Sequence, residues 1–177
     1  MARVNSPETT PGRVAAISVS KRRGTPKTNV ASAMLVPDWG IEGDAHAGHW
    51  HRQVSFLALE SIAKMRAKGL NVDPGAFAEN ITTEFIDVPH LRVGDRVRIA
   101  GTELEVTQIG KECHSRCAIF EAAGDCVMPR EGVFGRVVTG GPIRVGDEVR
   151  ILHAMKQAAP DESQDGKSHL AGIGDRP

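Results

Sequence analysis

No stretch of this chain stays apolar long enough to cross a bilayer, no apolar leader opens it, and neither sign of charge prevails. A spanning helix needs about 20 apolar residues, whereas the apolar runs here are short and broken by Gly, Asp and Pro. The opening residues, MARVNSPETTPG, are polar, unlike the hydrophobic centre of a secretory signal. The expected location is therefore cytoplasmic, with no membrane partner. Lys plus Arg number 22, as do Asp plus Glu, for a formal net charge of 0. A field that averages to zero does not draw nucleic acid as a whole, so no nucleic-acid partner is expected and any anion site must be local.

Familiar phosphate cradles are missing too. Neither G-x-x-x-x-G-K-[ST] nor G-x-G-x-x-G occurs, and there is no G-x-S-x-G nucleophile elbow. Cysteine is scarce, at 3 residues. An odd number in a reducing compartment stays as thiols rather than a disulfide framework. A chain of 177 residues is also long enough to bury a core without a metal to hold it.

What is present is a series of short β-type runs: RVAAISVS, VASAMLV, RVRIA, ELEVTQI, VFGRVVT and EVRIL. They fall between residues 13 and 153, flanked by polar segments, 1–12 and 154–177, that read as disordered tails. Helical spacing interrupts the pattern in ALESIAKMRAKGL (58–70), where Leu59, Ile62 and Met65 recur on one side and Gly69 offers a stop. Two shorter helices are expected, one in PGAFAEN after Pro74 and one over 117–123. The string R-V-G-D-x-V-R-I occurs twice, at 92–99 and 144–151. Gly followed by Asp suits a tight turn, so Asp95 and Asp147 read as corners of a barrel rather than as site residues. Short strands, few helices and no βα alternation point to a mostly β fold, a closed or nearly closed barrel.

Three segments carry groups capable of chemistry. GIEGDAHAGHWHRQ (40–53) gathers Asp44, His46, His49, His51 and Gln53 in one glycine-rich stretch, either a polar loop or the lining of a polar ligand site. SKRRGTPK (20–27) is the densest basic stretch, a solvated loop or a phosphate clamp. GKECHSRCAI (110–119) sets Cys113 and Cys117 among Lys111, His114 and Arg116. Neighbouring cations favour thiolate, the form that attacks sulfur and binds metal, so both cysteines are reactive candidates. A Cys3His zinc site with Cys126 is the alternative, although C-x3-C followed by x8-C is not a common zinc spacing. Cys126, beside Val127 and Met128, reads as packing.

The order of these parts, S-K-R-R-G-T-P-K, G-I-E-G-D-A-H-A-G, F-A-E-N, L-R-V-G-D, a cysteine segment and G-V-F-G-R-V-V before V-G-D, resembles the MOSC family, named for the molybdenum cofactor sulfurase C-terminal domain, and in particular its small single-domain bacterial type. The resemblance spans nearly all of 13–152. It implies a β-barrel with a few short helices and a molybdenum-pterin cofactor or sulfur transfer, hence a sulfur transferase or a molybdenum-pterin-dependent enzyme. It places the metal ligand or persulfide carrier at Cys117, with Cys113 assisting. It also sets Asn80 at a site asparagine and puts Lys21, Asp44, His46 and Gln53 in segments approaching the cofactor, Lys21 suiting its phosphate and Asn80 and Gln53 its ring edges. The partners it implies are a pterin or other anionic small molecule and a sulfur-donor protein. The alternatives are a zinc-stabilised β-barrel that binds a partner protein, and an SH3-like barrel with inert cysteines.

Overall fold

The computed structural model describes residues 11–111 and 118–153. Residues 1–10 of the expected tail 1–12, the whole of the expected tail 154–177, and with them Cys113, His114, Arg116 and Cys117, lie outside the described residues, while Gly12 already belongs to the first strand. β1 (Gly12–Val19), β5 (Val54–Ala58), β6 (Ile81–Glu84), β7 (Arg96–Ile99), β8 (Thr102–Ile109), β9 (Val133–Thr139) and β11 (Glu148–Leu152) pair in the order β11-β7-β8-β9-β5-β6-β1. β11 then returns to β1, with Gly12 opposite Val149, and closes the barrel. β2 (Thr28–Val30) extends the sheet from β1. A small outer sheet is formed by β10 (Gly141–Arg144), β3 (Ser32–Val36) and β4 (Gly40–Ile41). The mostly β, MOSC-like barrel is therefore the observed fold.

Closure removes the unpaired edges that a short-stranded sheet would otherwise expose. It also sorts the side chains, because successive residues of a strand face opposite sides. Inside lie Val14, Ile17, Phe56, Ile99, Leu104 and their neighbours, all buried. Outside β5, a second cluster of Leu57, Ile62, Met65, Phe77, Val127, Met128 and Phe134 packs beneath the helices. Every residue of β5, VSFLA, is buried, since Phe56 enters one core and Leu57 the other. That explains a strand without polar alternation.

β5 and β6 run parallel, with Phe56 opposite Ile81. A parallel pair needs a crossover, and the crossover is α1 (Leu59–Ala67) plus the loop 68–80. α1 buries Ser61, Ile62 and Met65, the face its helical spacing predicts. α2 (Ala118–Ala123) agrees with the helix expected over 117–123 from its second residue on. PGAFAEN, expected to be helical, is instead a run of turns. Gly75 and Ala78 take φ of 95° and 62°, outside the right-handed helical region, and the Glu79 carboxylate fixes the turns by accepting the amides of Gly75 and Phe77 and the hydroxyl of Thr82.

Both repeated strings make the same corner. Asp95 accepts the amide of Arg92 at 2.9 Å and Asp147 that of Arg144 at 2.7 Å, while Gly94 and Gly146 take φ of 95° and 93°, where glycine carries no Cβ penalty. The two copies then pair with each other, Val149 opposite Ile99 and Arg150 opposite Arg98. No helix among the described residues is long and apolar enough to cross a membrane.

Candidate functional site

Ser55 of β5 and Phe134 of β9 face each other across the barrel wall and, with Phe56 committed to the interior, turn outward. Above them lies a cavity of about 290 Å³, bordered by the loop after β1, the β4–β5 loop, the crossover loop, Lys111 and α3 (Met128–Glu131). It sits at the lower end of the size range for small-molecule sites.

Its charge is one-sided. Arg23, Arg52 and Lys111 line it beside the His46 ring, and no Asp or Glu among the described residues does. Arg23 lies over one ring contact of Trp50 at 5.4 Å and Arg52 over another at 4.9 Å, and Arg52 also sits 5.7 Å from the Phe134 ring. Such cation–aromatic contacts hold guanidinium groups in place without neutralising them. Arg23 also donates to the carbonyl of Ala45. Nε of Arg52 is buried without a hydrogen-bond partner among the described residues. A buried donor left unpaired carries a desolvation cost, and neighbouring anionic charge would offset it.

The crossover loop supplies the opposite wall. Asn80 is buried and fully engaged: its Oδ1 accepts the amide and hydroxyl of Ser55, and its Nδ2 donates to the carbonyl of Ser18. Beside it, Ala78 adopts φ 62°, a left-handed conformation that costs a non-glycine residue roughly 1–2 kcal/mol. Glu79 holds it there through the Gly75 and Phe77 amides on its N-terminal side, while burial pushes the Glu79 carboxyl up despite those bonds. Gly75 is required for contact with the first loop, because a Cβ there would come within 2.6 Å of the Lys27 carbonyl oxygen.

Beneath the rim is a buried ion pair. Lys27 Nζ meets Asp44 Oδ2 at 2.5 Å with side-chain exposures of 0% and 1%. Asp44 also accepts the amides of Ser20 and His46, each at 2.9 Å. Burial alone would raise the Asp44 carboxyl, yet its contacts with His46, Lys27 and Ser20 outweigh it and hold the group well below the usual carboxylate range. Burial lowers the Lys27 ammonium against the opposing pull of Asp44.

Of the residues singled out in the sequence, His46, Asn80 and Lys111 line the cavity. Asp44 stands behind His46 and holds it by the backbone. Lys21 is exposed and does not border the cavity; Arg23, two positions on, does. Gln53 is fully buried in the wall, its Oε1 accepting the Val137 amide and its Nε2 donating to Asp38. Cys126 is buried in the outer cluster. Among the described residues, no group of three or more His, Cys, Asp and Glu could hold a metal. Sequence reasoning passed over Lys27, Trp50, Arg52 and Ser55. Trp50 and Arg52 lie inside the quoted histidine loop and Lys27 inside the basic stretch, but only folding separates the lysine that is buried from the arginine that is presented.

Comparison with known proteins agrees with this architecture. The family model described as MOSC domain matches residues 43–150. The chain belongs to the MOSC domain family. That family is generally linked to molybdenum-cofactor and sulfur metabolism. The fold is similar to the crystal structure of the YUAD protein from Bacillus subtilis, at 16% identity, TM-score 0.68, covering 79% of this chain and 94% of that one. It is also similar to YiiM from Geobacillus stearothermophilus, at 19% identity and TM-score 0.60 over 81% of this chain and 76% of that one. For YiiM from Escherichia coli the values are 18% identity and TM-score 0.59 over 82% and 72%. No curated protein sequence matches the chain.

Proposed function

We propose that this MOSC protein binds the anionic molybdenum-pterin cofactor in the cavity above Ser55 and uses Cys117 as the metal ligand or as a persulfide carrier. The observation that supports this reading is the lining itself: Arg23, Arg52 and Lys111, with no carboxylate among the described residues. At an effective dielectric constant near 20, one anion–cation contact at 4 Å contributes about 4 kcal/mol before desolvation, so three convergent cations select strongly for negative charge. A phosphate would be held by Arg23, Arg52 and Lys111, and polar ring edges would meet His46 and the Ser55–Asn80 wall. These residues fit such a group.

Lys111 borders the cavity and directly precedes the segment 112–117 that carries both reactive cysteine candidates. A thiolate beside cations is the soft ligand that a thiophilic metal prefers, and the same thiolate can attack the outer sulfur of a donor persulfide, forming its own persulfide as the donor's S–S bond breaks and the donor leaves as a thiolate. The bound cofactor would supply two-electron redox chemistry at the metal; the chain supplies charge, orientation and the thiolate. A sulfur-donor protein is the macromolecular partner this reading implies.

The test is elemental analysis and intact mass of freshly purified protein, with and without Cys117→Ser. Wild type should carry molybdenum or a 32-dalton sulfur adduct, and the variant neither. Retention of both by Cys117→Ser overturns the assignment. Arg52→Ala combined with Lys111→Ala should weaken binding of inorganic phosphate at least tenfold, seen as loss of Trp50 fluorescence quenching in a Trp39→Phe background. Unchanged phosphate affinity refutes the anion site.

A further inference from the structure

The buried Lys27–Asp44 pair is not needed to attract an anion, since neither residue borders the cavity, yet both converge on a histidine that does. His46 Nδ1 lies 3.2 Å from Lys27 Nζ and 3.5 Å from Asp44 Oδ1. These two contacts demand opposite proton positions. A proton on Nδ1 would point at the carboxylate and would also set two N–H donors against each other at the shorter distance. Among the described residues it would leave Lys27 with Asp44 Oδ2 as its only hydrogen-bond partner, in a site where the ammonium has 0% exposure.

The geometry favours the other arrangement. Asp44 Oδ1 already accepts the His46 amide at 2.9 Å, and 3.5 Å is too long for a good hydrogen bond. If Nδ1 is unprotonated, Lys27 donates to both Asp44 and His46, and a buried ammonium gains a second acceptor. The ring's remaining nitrogen, Nε2, then carries the proton, and no partner for it is found among the described residues. The loop is pinned further by Trp50 Nε1, which donates to the His46 carbonyl at 2.8 Å. Among the described residues, the charged groups around the imidazole are Lys27 and Asp44 behind it and Arg23, Arg52 and Lys111 at the cavity, with Glu79 acting on Lys27.

We propose that Lys27 fixes His46 as a neutral imidazole with its proton on Nε2, and that this N–H donates to an oxyanion bound in the cavity. The second part rests on the anion-binding reading; the first does not. Lys27 and Asp44 are positioning residues, and His46 is the group that touches the ligand. The ligand class is an anion that presents an unprotonated oxygen to His46, such as a phosphate or another tetrahedral oxyanion, rather than a neutral or hydrogen-bond-donating group.

Long-range 1H–15N correlation on protein with 15N-labelled histidine, at pH 7.5 and without ligand, reads the tautomer directly. The expected spectrum has a pyridine-type Nδ1 and a pyrrole-type Nε2 for His46, assigned by its loss in His46→Gln. A proton on Nδ1, or averaged nitrogens, overturns the positioning role. Lys27→Met with Asp44→Asn, which avoids stranding one buried charge, should abolish the preference; an unchanged tautomer in a folded variant also overturns it. If that variant does not fold, the wild-type spectrum still decides.

Titration with inorganic phosphate tests the donor role. The Nε2 resonance should shift on binding, and His46→Leu should weaken phosphate about tenfold, the loss of one charge-assisted hydrogen bond, whereas His46→Gln, which keeps an N–H near that position, should lose less. Quenching of Trp50 by phosphate with a stationary Nε2 resonance, or equal losses in the Leu and Gln variants, overturns donation. If wild type binds no phosphate, the anion reading and the donor role fall together, while the tautomer assignment stands.

Discussion

Replacing Asp44 by alanine should be among the most damaging single changes in the loop region, and the size of the loss can be worked from its contacts. The substitution strands the Lys27 ammonium in a site of 0% exposure and leaves the Ser20 and His46 amides without their acceptor. Removing one member of a buried ion pair costs about 3–5 kcal/mol. Because burial lowers the Lys27 ammonium, part of the remaining charge is relieved by deprotonation, so the lower half of that range, about 3–4 kcal/mol, is expected. For a domain of this size 1 kcal/mol moves Tm by roughly 2–4 °C, which gives a fall of about 6–16 °C. Urea unfolding followed by far-UV circular dichroism measures the free energy, and the double variant Lys27→Met, Asp44→Leu should recover at least about 2 kcal/mol of it. The pH dependence has a fixed sign. Asp44 is held below its unfolded value, so its stabilisation is present above the ordinary carboxylate pKa of about 3.9 and disappears as pH falls below it. The gap between wild type and Asp44→Ala should therefore close on acidification. A loss under about 1 kcal/mol at pH 7, or a gap that widens in acid, would refute the buried-pair account.

Glu79 should show the opposite trend, because burial raises its carboxyl. Its contribution is complete below about pH 4.5 and is lost as pH rises through the raised value, so wild type should lose ground to Glu79→Gln between pH 4 and 8 in urea titrations. Gly110→Ala should cost at least about 2 kcal/mol, since the residue holds φ 72° and a Cβ would lie 2.3 Å from the Pro129 carbonyl oxygen; unaltered stability would mean that Gly110 and α3 are not in contact. Phe56→Ala, emptying a side chain 1% exposed at the barrel centre, should cost about 3–5 kcal/mol, visible as a lower urea midpoint with an unchanged slope.

The strands that sequence patterning reached are those where one face meets the core and the other meets water, or where β-branched residues cluster. VFGRVVT is β9 and EVRIL is β11, residue for residue. β5 escaped because it lies between two cores and has no alternation to read. β6 escaped for a related reason: Ile81, Thr82 and Thr83 are all buried, and Thr82, opposite Leu57 of the outer cluster, has its hydroxyl bonded to Glu79. The turn corners were readable from Gly-Asp because their chemistry is local. The PGAFAEN turns were not, since the left-handed conformation of Ala78 has no signature in composition, and the Glu79 side chain that holds the turns is of a residue type common in helices.

The site was hidden by a different effect. Composition reports a neutral chain, and neutrality is a sum that folding redistributes. On the barrel surface Arg96 joins Glu103 and Glu105, Arg13 joins Glu84, and Lys64 joins Glu131, pairs that cancel locally and contribute little to stability when exposed. Each carboxylate used there is one that cannot line the cavity. The basic stretch 20–27 is divided the same way: Lys27 turns inward to Asp44 while Arg23 stacks on Trp50 and keeps its charge. Arg52 is held by two aromatic rings rather than by an acid. The cavity is therefore positive because aromatic groups do the holding that carboxylates do elsewhere, which retains the cation without neutralising it. That is a property of partner choice in three dimensions. It follows that replacing Trp50 by leucine should weaken phosphate binding by loosening both arginines while leaving the number of cations unchanged, an effect that added salt, which only screens charge, would not reproduce at the level of the apo-protein Arg52 Nε–H resonance.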